Sequence, residues 1–136
     1  MRAEYPGVKT VRNSSSSFKL AIIGFGAVGQ GVAQVVQKVP KLEVVAIADS
    51  KGVALKPDLR GVLARKRAGK SIANSDMTAL DVIRNVDHEV LVEVTPTNID
   101  DGEPGLTHVR EGLKNKRHLG VLALCPGIPI IVFSFC

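Results

Sequence analysis

The stretch AIIGFGAVGQGVAQVVQ, residues 21–37, limits what this chain can fold into more than any other. A short, β-rich apolar run, FKLAII, stops at Gly24, as a strand buried on both faces of a parallel sheet would. Beyond the glycines, Val28, Val32, Val35, Val36 and Val39 recur three and four residues apart, which predicts a helix closed by Pro40. A second apolar run, LEVVAIAD, then ends on Asp49. Strand, tight turn, helix and strand in this order make a βαβ unit, whose crossover is expected to be right-handed.

Gly24, Gly26 and Gly29 form G-x-G-x-x-G where the strand hands over to the helix. Each glycine has a physical task. Gly24 permits the tight turn, Gly26 lets the backbone approach a pyrophosphate, and Gly29 lets helix and strand pack closely. The helix N-terminus then directs free N–H groups and the positive end of its dipole at the phosphates, so the backbone of Gly24, Phe25, Gly26, Ala27, Val28 and Gly29 is the candidate cradle. Asp49 stands twenty residues after Gly29, where a carboxylate accepts from ribose hydroxyls. A carboxylate there favours the 2′-hydroxyl of NAD over the 2′-phosphate of NADP. Lys51 and the basic run RGVLARKRAGK, with Arg60, Arg65, Lys66, Arg67 and Lys70, bear on the same choice, because a cation folded over the adenosine end admits NADP. Charge runs of this kind usually form the solvated face of a surface helix, and that is the expectation here, with NAD as cofactor and NADP as the alternative.

At 136 residues and 45% hydrophobic the chain is expected to form one domain around one core. Residues 1–17, ending in a serine run, read as a flexible N-terminal extension without the apolar segment of a secretory signal. Arg2, Lys9 and Arg12 faintly resemble an organelle leader, but Glu4 and the shortness of the segment oppose that reading. Cys125 and Cys136 build no disulfide framework, so a reducing, cytoplasmic setting is expected. The net charge of +5 permits anionic partners without selecting one, and with one Tyr, four Phe and no Trp the chain has few bases-stacking platforms, so no nucleic-acid partner is expected. His88, His108 and His118 share no metal-ligand spacing and are expected at the surface or at helix ends, with no metal site.

Further along, Ser75 or Asp76 is the expected cap of a helix with Leu80, Val82 and Ile83 on its apolar face. HEVLVEV then alternates into a strand expected to end at Thr95. In a doubly wound sheet such strand ends face the ligand crevice, which puts TPTN, Thr95 to Asn98, on the ligand side. PGLTHVREGLKNKRH reads as a helix with Leu106, Val109 and Leu113 as its stripe and a basic last turn.

At these residues the chain resembles a known family. KLAIIGFGAVGQGVAQVV, VVAIADSKG and above all LVEVTPTNIDDGEPGLTHVREGLKNKRH look like the cofactor-binding domain of homoserine dehydrogenases, over about Phe18 to His118. That family reduces aspartate semialdehyde to homoserine with NADH or NADPH, a step toward threonine and methionine. The resemblance implies that the backbone from Gly24 to Gly29 holds the pyrophosphate, that Asp49 lies by the adenosine ribose, and that Thr95, Pro96 and Thr97 flank the nicotinamide. The TPTN loop favours this family over other amino-acid-pathway reductases with the same first domain.

After His118 the resemblance stops. The family continues with a loop of the form T-[SA]-N-K-x-P, whose lysine faces cofactor and substrate, and Leu124 stands at that lysine's place while Pro126 alone coincides. The eighteen residues 119–136 carry no charge, a composition shift of the kind left by a changed reading frame or splice junction. LGVLAL is expected to add one strand to the sheet, and IPIIVFSFC another strand or an exposed edge through which copies associate. Pro126 and Pro129 argue against a membrane span. The expectation is therefore an α/β, Rossmann-type doubly wound parallel sheet: a dinucleotide-binding domain at 18–118, an uncharged divergent tail at 119–136, and no substrate domain. No catalytic residue is identified, because leucine cannot donate the proton that lysine can. A non-catalytic dinucleotide-binding fragment is the alternative to an oxidoreductase domain.

Overall fold

The computed structural model describes residues 16–96, 98–125 and 128–134. Residues 1–15, Thr97, Pro126 and Cys136 lie outside them, and with them the readings made for the extension, for Thr97 and for the last residues of the tail. In chain order the elements are β1 (Phe18–Ile23), α1 (Ala27–Val36), β2 (Leu42–Asp49), β3 (Gly52–Leu55), α2 (Leu59–Arg67), α3 (Ala79–Asn85), β4 (Val90–Glu93), α4 (Gly105–Lys114), β5 (His118–Cys125) and β6 (Ile128–Ser134).

The six strands form one sheet in the order β3-β2-β1-β4-β5-β6. Its four central strands are parallel, whereas β3 and β6 run antiparallel along the two edges. The sheet is thus mixed rather than wholly parallel, and a tight connection of two residues, Ser50 and Lys51, joins β2 to β3. Hairpins need only a short turn, while parallel neighbours need a crossover. The expected strand at LGVLAL is part of β5, which pairs with β4 from His118 to Val121, so the sheet continues into the uncharged segment.

Alternate residues of β1 explain the layering. Leu20 and Ile22 join Ala33 and Val36 of α1, Val44 and Ile47 of β2, and Val62 and Leu63 of α2 in one core. Ala21 and Ile23 join Val82 and Ile83 of α3, Leu91 of β4 and Leu119 of β5 in the other. Both faces of the central strands are covered, as parallel sheets require.

Several local readings are corrected. Helix α1 stops at Val36, three residues before Val39, and buries Gly29, Ala33 and Val36 while Val35 is 61% exposed, because small residues allow the closest approach to the sheet. Thr78, not Ser75 or Asp76, caps α3: its hydroxyl accepts from the Asp81 N–H while the Asp81 carboxylate accepts from the Thr78 N–H. Strand β4 ends at Glu93, two residues short of Thr95. Helix α4 buries His108 and Gly112 and leaves Leu106 and Leu113 substantially exposed. A Cβ on Gly112 would come within 2.8 Å of the Leu91 and Leu119 side chains, so this helix also lies close on its strands.

Candidate dinucleotide site

The loop between β1 and α1 is fixed by contacts that two of its glycines alone permit. Gly24 has φ +103°, and a Cβ there would lie 2.7 Å from the Val94 carbonyl. A Cβ on Gly29 would lie 2.1 Å from the Gly24 carbonyl oxygen. The chain's own packing therefore demands both glycines. Gly26 is different. Its φ of −78° suits any residue, it is exposed, and a Cβ would meet nothing within 4 Å. It is the N-cap of α1, and no side chain caps the N–H groups of that first turn and no acid lies in it. Those donors and the helix dipole face open space above the sheet, which suits an anion held by backbone. Phe25, between the glycines, is 1% exposed and anchors the loop in the core.

Asp49 ends β2 on one side of this loop. Its side chain is almost wholly buried, with Oδ1 accepting the Lys51 N–H at 2.8 Å and Oδ2 accepting from Lys66 Nζ at 2.9 Å. The basic run is therefore not uniformly solvated: Lys66 turns inward from α2 onto Asp49, while Arg65 Nε donates to the Ser71 carbonyl. The signal for its inward turn is the helical stripe it shares with Leu59, Val62 and Leu63, the side that packs on the sheet, although nothing local names Asp49 as its partner.

On the other side of the loop, β4 delivers Glu93 and Thr95. Glu93 is 2% exposed. Its Oε1 accepts from both the backbone N–H and the hydroxyl of Thr95, and its Oε2 accepts from His108 Nδ1 at 2.5 Å. His108, expected near the surface, is instead 8% exposed beneath α4, on the stripe it shares with Gly105, Val109 and Gly112. Neither Glu93 nor His108 was singled out from the sequence. Their signal was an acid alternating with Leu91 on a buried strand face, and a histidine on a helix face lined by glycines.

Because β2 and β4 flank β1, these two sides bracket the glycine loop. A cavity of about 700 Å³ runs between them, lined by Gly24 to Val28, Asp49, Lys66, Thr95, Pro96 and His108. That volume lies in the range of cofactor pockets, roughly 300–1,000 Å³. The structure thus gathers the glycine loop, Asp49, Thr95 and Pro96 at one crevice beyond the carboxyl ends of the strands. The open cradle at Gly26 and the uncapped helix fit a dinucleotide diphosphate.

The fold and this crevice define a Rossmann-type domain. Within that class it is homoserine dehydrogenase-like. The homoserine dehydrogenase of Methanocaldococcus jannaschii is 39% identical over 128 residues, covering 78% of this chain and 38% of that protein. A protein of known structure from Archaeoglobus fulgidus, assigned as a homoserine dehydrogenase, superposes with a TM-score of 0.65 at 33% identity, covering 76% of this chain and 33% of its own. The homoserine dehydrogenase of Thermoplasma acidophilum shares the fold with a TM-score of 0.61 at 18% identity, over 79% of this chain and 35% of its own. No protein-family model matches the chain. The chain spans about a third of the length of these relatives. Among the described residues, no helix is long and apolar enough to cross a membrane.

Proposed function

We propose that the chain is the nicotinamide-dinucleotide-binding part of an oxidoreductase of the homoserine dehydrogenase kind. The diphosphate lies over the backbone from Gly24 to Gly29 at the N-terminus of α1, the adenosine ribose beside Asp49, and the nicotinamide half beside Thr95 and Pro96, with Thr97 next in the chain. The observation that carries this is Gly26: packing explains the other two glycines of the motif, whereas the space above Gly26 is empty and borders the cavity. NAD is the preferred cofactor, because Asp49 accepts from a 2′-hydroxyl and repels a 2′-phosphate, and Lys66 beside it sets how far NADP is excluded. In the whole protein the reaction is the reduction of aspartate semialdehyde to homoserine, in threonine and methionine biosynthesis in the cytoplasm. The partners are small molecules rather than nucleic acid or membrane, with copies associating through a further domain or the β6 edge.

The test is calorimetric titration of the chain with NADH, beside Gly26→Val. Valine is a poorer N-cap, costing about 1 kcal/mol, but it meets no neighbour in the fold. The expected result is a folded variant with no detectable NADH binding. Equal binding by the folded variant would overturn the reading.

A second reading, a binding module without turnover, is supported by Leu124 at the place of the family's lysine. A positioned proton donor is worth roughly 10²–10⁴ in rate, so the purified chain is expected to show no homoserine-dependent reduction of NAD. Turnover lost in Gly26→Val would mean that another group of this chain supplies the proton.

A further inference from the structure

We propose that His108 is a cofactor-binding residue, oriented by Glu93 so that its Nε2 hydrogen-bonds the nicotinamide riboside half of the dinucleotide. The proposal rests on the dinucleotide reading above and adds a contact that the glycine motif does not contain.

Three observations carry it. First, the ring is fixed: Glu93 Oε2 accepts from Nδ1 at 2.5 Å, while Thr95 occupies the other carboxylate oxygen through its N–H and its hydroxyl. Glu93 Oε2 is an acceptor, so Nδ1 donates to it and Nε2 is the free end of a fixed ring. Second, the hydrogen bond to Glu93 engages Nδ1, the side chain is nine-tenths buried, and Nε2, unlike His88 Nε2, is not a sealed atom without a partner. A fixed ring at a cavity wall offers its second nitrogen to a ligand or to water. Third, His108 lines the cavity with Thr95 and Pro104, on the far side of the glycine loop from Asp49 and Lys66. With the adenosine at Asp49 and the diphosphate over the loop, the group reaching His108 is the nicotinamide riboside, whose carboxamide and ribose hydroxyls are able to hydrogen-bond an imidazole nitrogen.

Glu93 acts through its neighbours and is a positioning residue. One carboxylate fixes both the imidazole and the backbone of Thr95, so cavity wall and ring nitrogen are set together. A Cβ on Gly105 would sit 3.7 Å from Glu93 Oε1 and 3.8 Å from Thr95 Oγ1, so the first turn of α4 closes over this cluster. The arrangement is preorganised, and side-chain ordering on binding costs little.

The experiment compares two probes, NADH and ADP, on the full chain. ADP carries the adenosine and diphosphate and lacks the nicotinamide riboside. His108→Asn retains an amide N–H where Nδ1 stood, keeping the Glu93 partner, and removes Nε2. The expected result is an NADH affinity lowered roughly three- to tenfold, the size of one hydrogen bond, with ADP affinity unchanged. In the unmodified protein, ¹⁵N spectra of the imidazoles supply a readout independent of any variant's folding: the Nε2 resonance of His108 is expected to move with NADH and not with ADP, while His88 stays still. Binding of both probes with an unchanged NADH-to-ADP ratio in His108→Asn and a silent Nε2 resonance would overturn this proposal and leave the dinucleotide reading standing. Binding of neither probe by the unmodified chain would overturn both.

Discussion

Two buried histidines stand at opposite ends of the same strand, and their surroundings differ in kind. His88, just before β4, is 1% exposed; its Nδ1 donates to the Val86 carbonyl at 2.7 Å and its Nε2 is buried without a partner among the described residues. Arg117 closes that end, donating to the His88 carbonyl at 2.6 Å and to the carbonyls of Val86 and Ile83 at 3.3 and 3.4 Å. At the carboxyl end, His108 is held by a carboxylate and borders a cavity. At the amino end, His88 Nδ1 and the Arg117 guanidinium bind backbone carbonyls where α3 finishes and line no part of that cavity; at the carboxyl end, Glu93 binds Thr95 and His108 beside it. Substitutions at the first end should therefore change stability and leave ligand affinity alone, and substitutions at the second should do the reverse.

The contrast is sharpest inside the glycine loop. Gly29→Val is expected to prevent folding, since its Cβ would sit 2.1 Å from the Gly24 oxygen in a close-packed interior. Circular dichroism and thermal melting check this: a cooperative transition near that of the unmodified chain would mean that α1 lifts off the sheet without penalty. Gly26→Val, three residues away, is the matching change that alters binding and not folding.

Next in size is Arg117→Ala. Removing the guanidinium takes this donor from the His88 and Ile83 carbonyls and leaves the Val86 carbonyl with His88 Nδ1, which is expected to cost roughly 1–3 kcal/mol, moderated where water replaces it. Chemical denaturation measures the cost and NADH titration the affinity. A tenfold loss of affinity at unchanged stability would erase the distinction between the two ends.

The same end carries a pH dependence. Burial is the largest influence on His88 and pushes its pKa below the ordinary 6.5, while the Val86 carbonyl acts the other way. Above pH 6.5 neither the folded nor the unfolded chain holds this proton, and His88 adds no slope. Below it the unfolded chain takes up a proton that the folded one resists, so stability falls with pH, by up to about 1.4 kcal/mol per unit, until the buried ring itself protonates. Denaturation between pH 7.5 and 5.5 should show this fall in the unmodified chain and a shallower one in His88→Gln. Parallel curves would mean that water reaches the ring.

The glycine loop, the covered strands β1 and β2 and the carboxylate of Asp49 were legible from the sequence because each depends on local geometry: a turn, an alternation, a spacing along one βαβ unit. What was not legible depends on pairs distant in sequence. Glu93 and His108 are fifteen residues apart, Lys66 and Asp49 seventeen, and His88 and Arg117 twenty-nine. A histidine reads as a surface residue until its carboxylate is known to be buried beneath it. Apolar periodicity misled for a related reason: α1 and α4 turn small residues inward, Gly29 and Ala33 in one and Gly112 in the other, so the larger Val35, Leu106 and Leu113 ride outside. The antiparallel β3 was hidden because a short hairpin leaves no helix to announce it, and of β6 the strand was expected but not its direction.

The smallest expected effect lies at the Asp49 end and separates its two charges. Lys66 Nζ lies 2.9 Å from Asp49 Oδ2, and the lysine side chain is 26% exposed where it borders the cavity. In this position it holds the carboxylate in place, and it offsets the repulsion that Asp49 exerts on a 2′-phosphate. Lys66→Ala removes the offset and leaves the carboxylate able to accept from a ribose hydroxyl, so NADP should weaken more than NAD and the preference for NAD should widen about three- to tenfold, the size of a partly screened charge contact. Asp49→Ala should shift the preference the opposite way, toward NADP. Because both effects are electrostatic, raising salt should shrink them, which a change in packing would not do. Affinities for NADH and NADPH at low and high salt, measured on the two variants, settle the matter: a preference that moves in the same direction in both would mean that the pair acts as a single structural clasp and that neither charge is read by the cofactor.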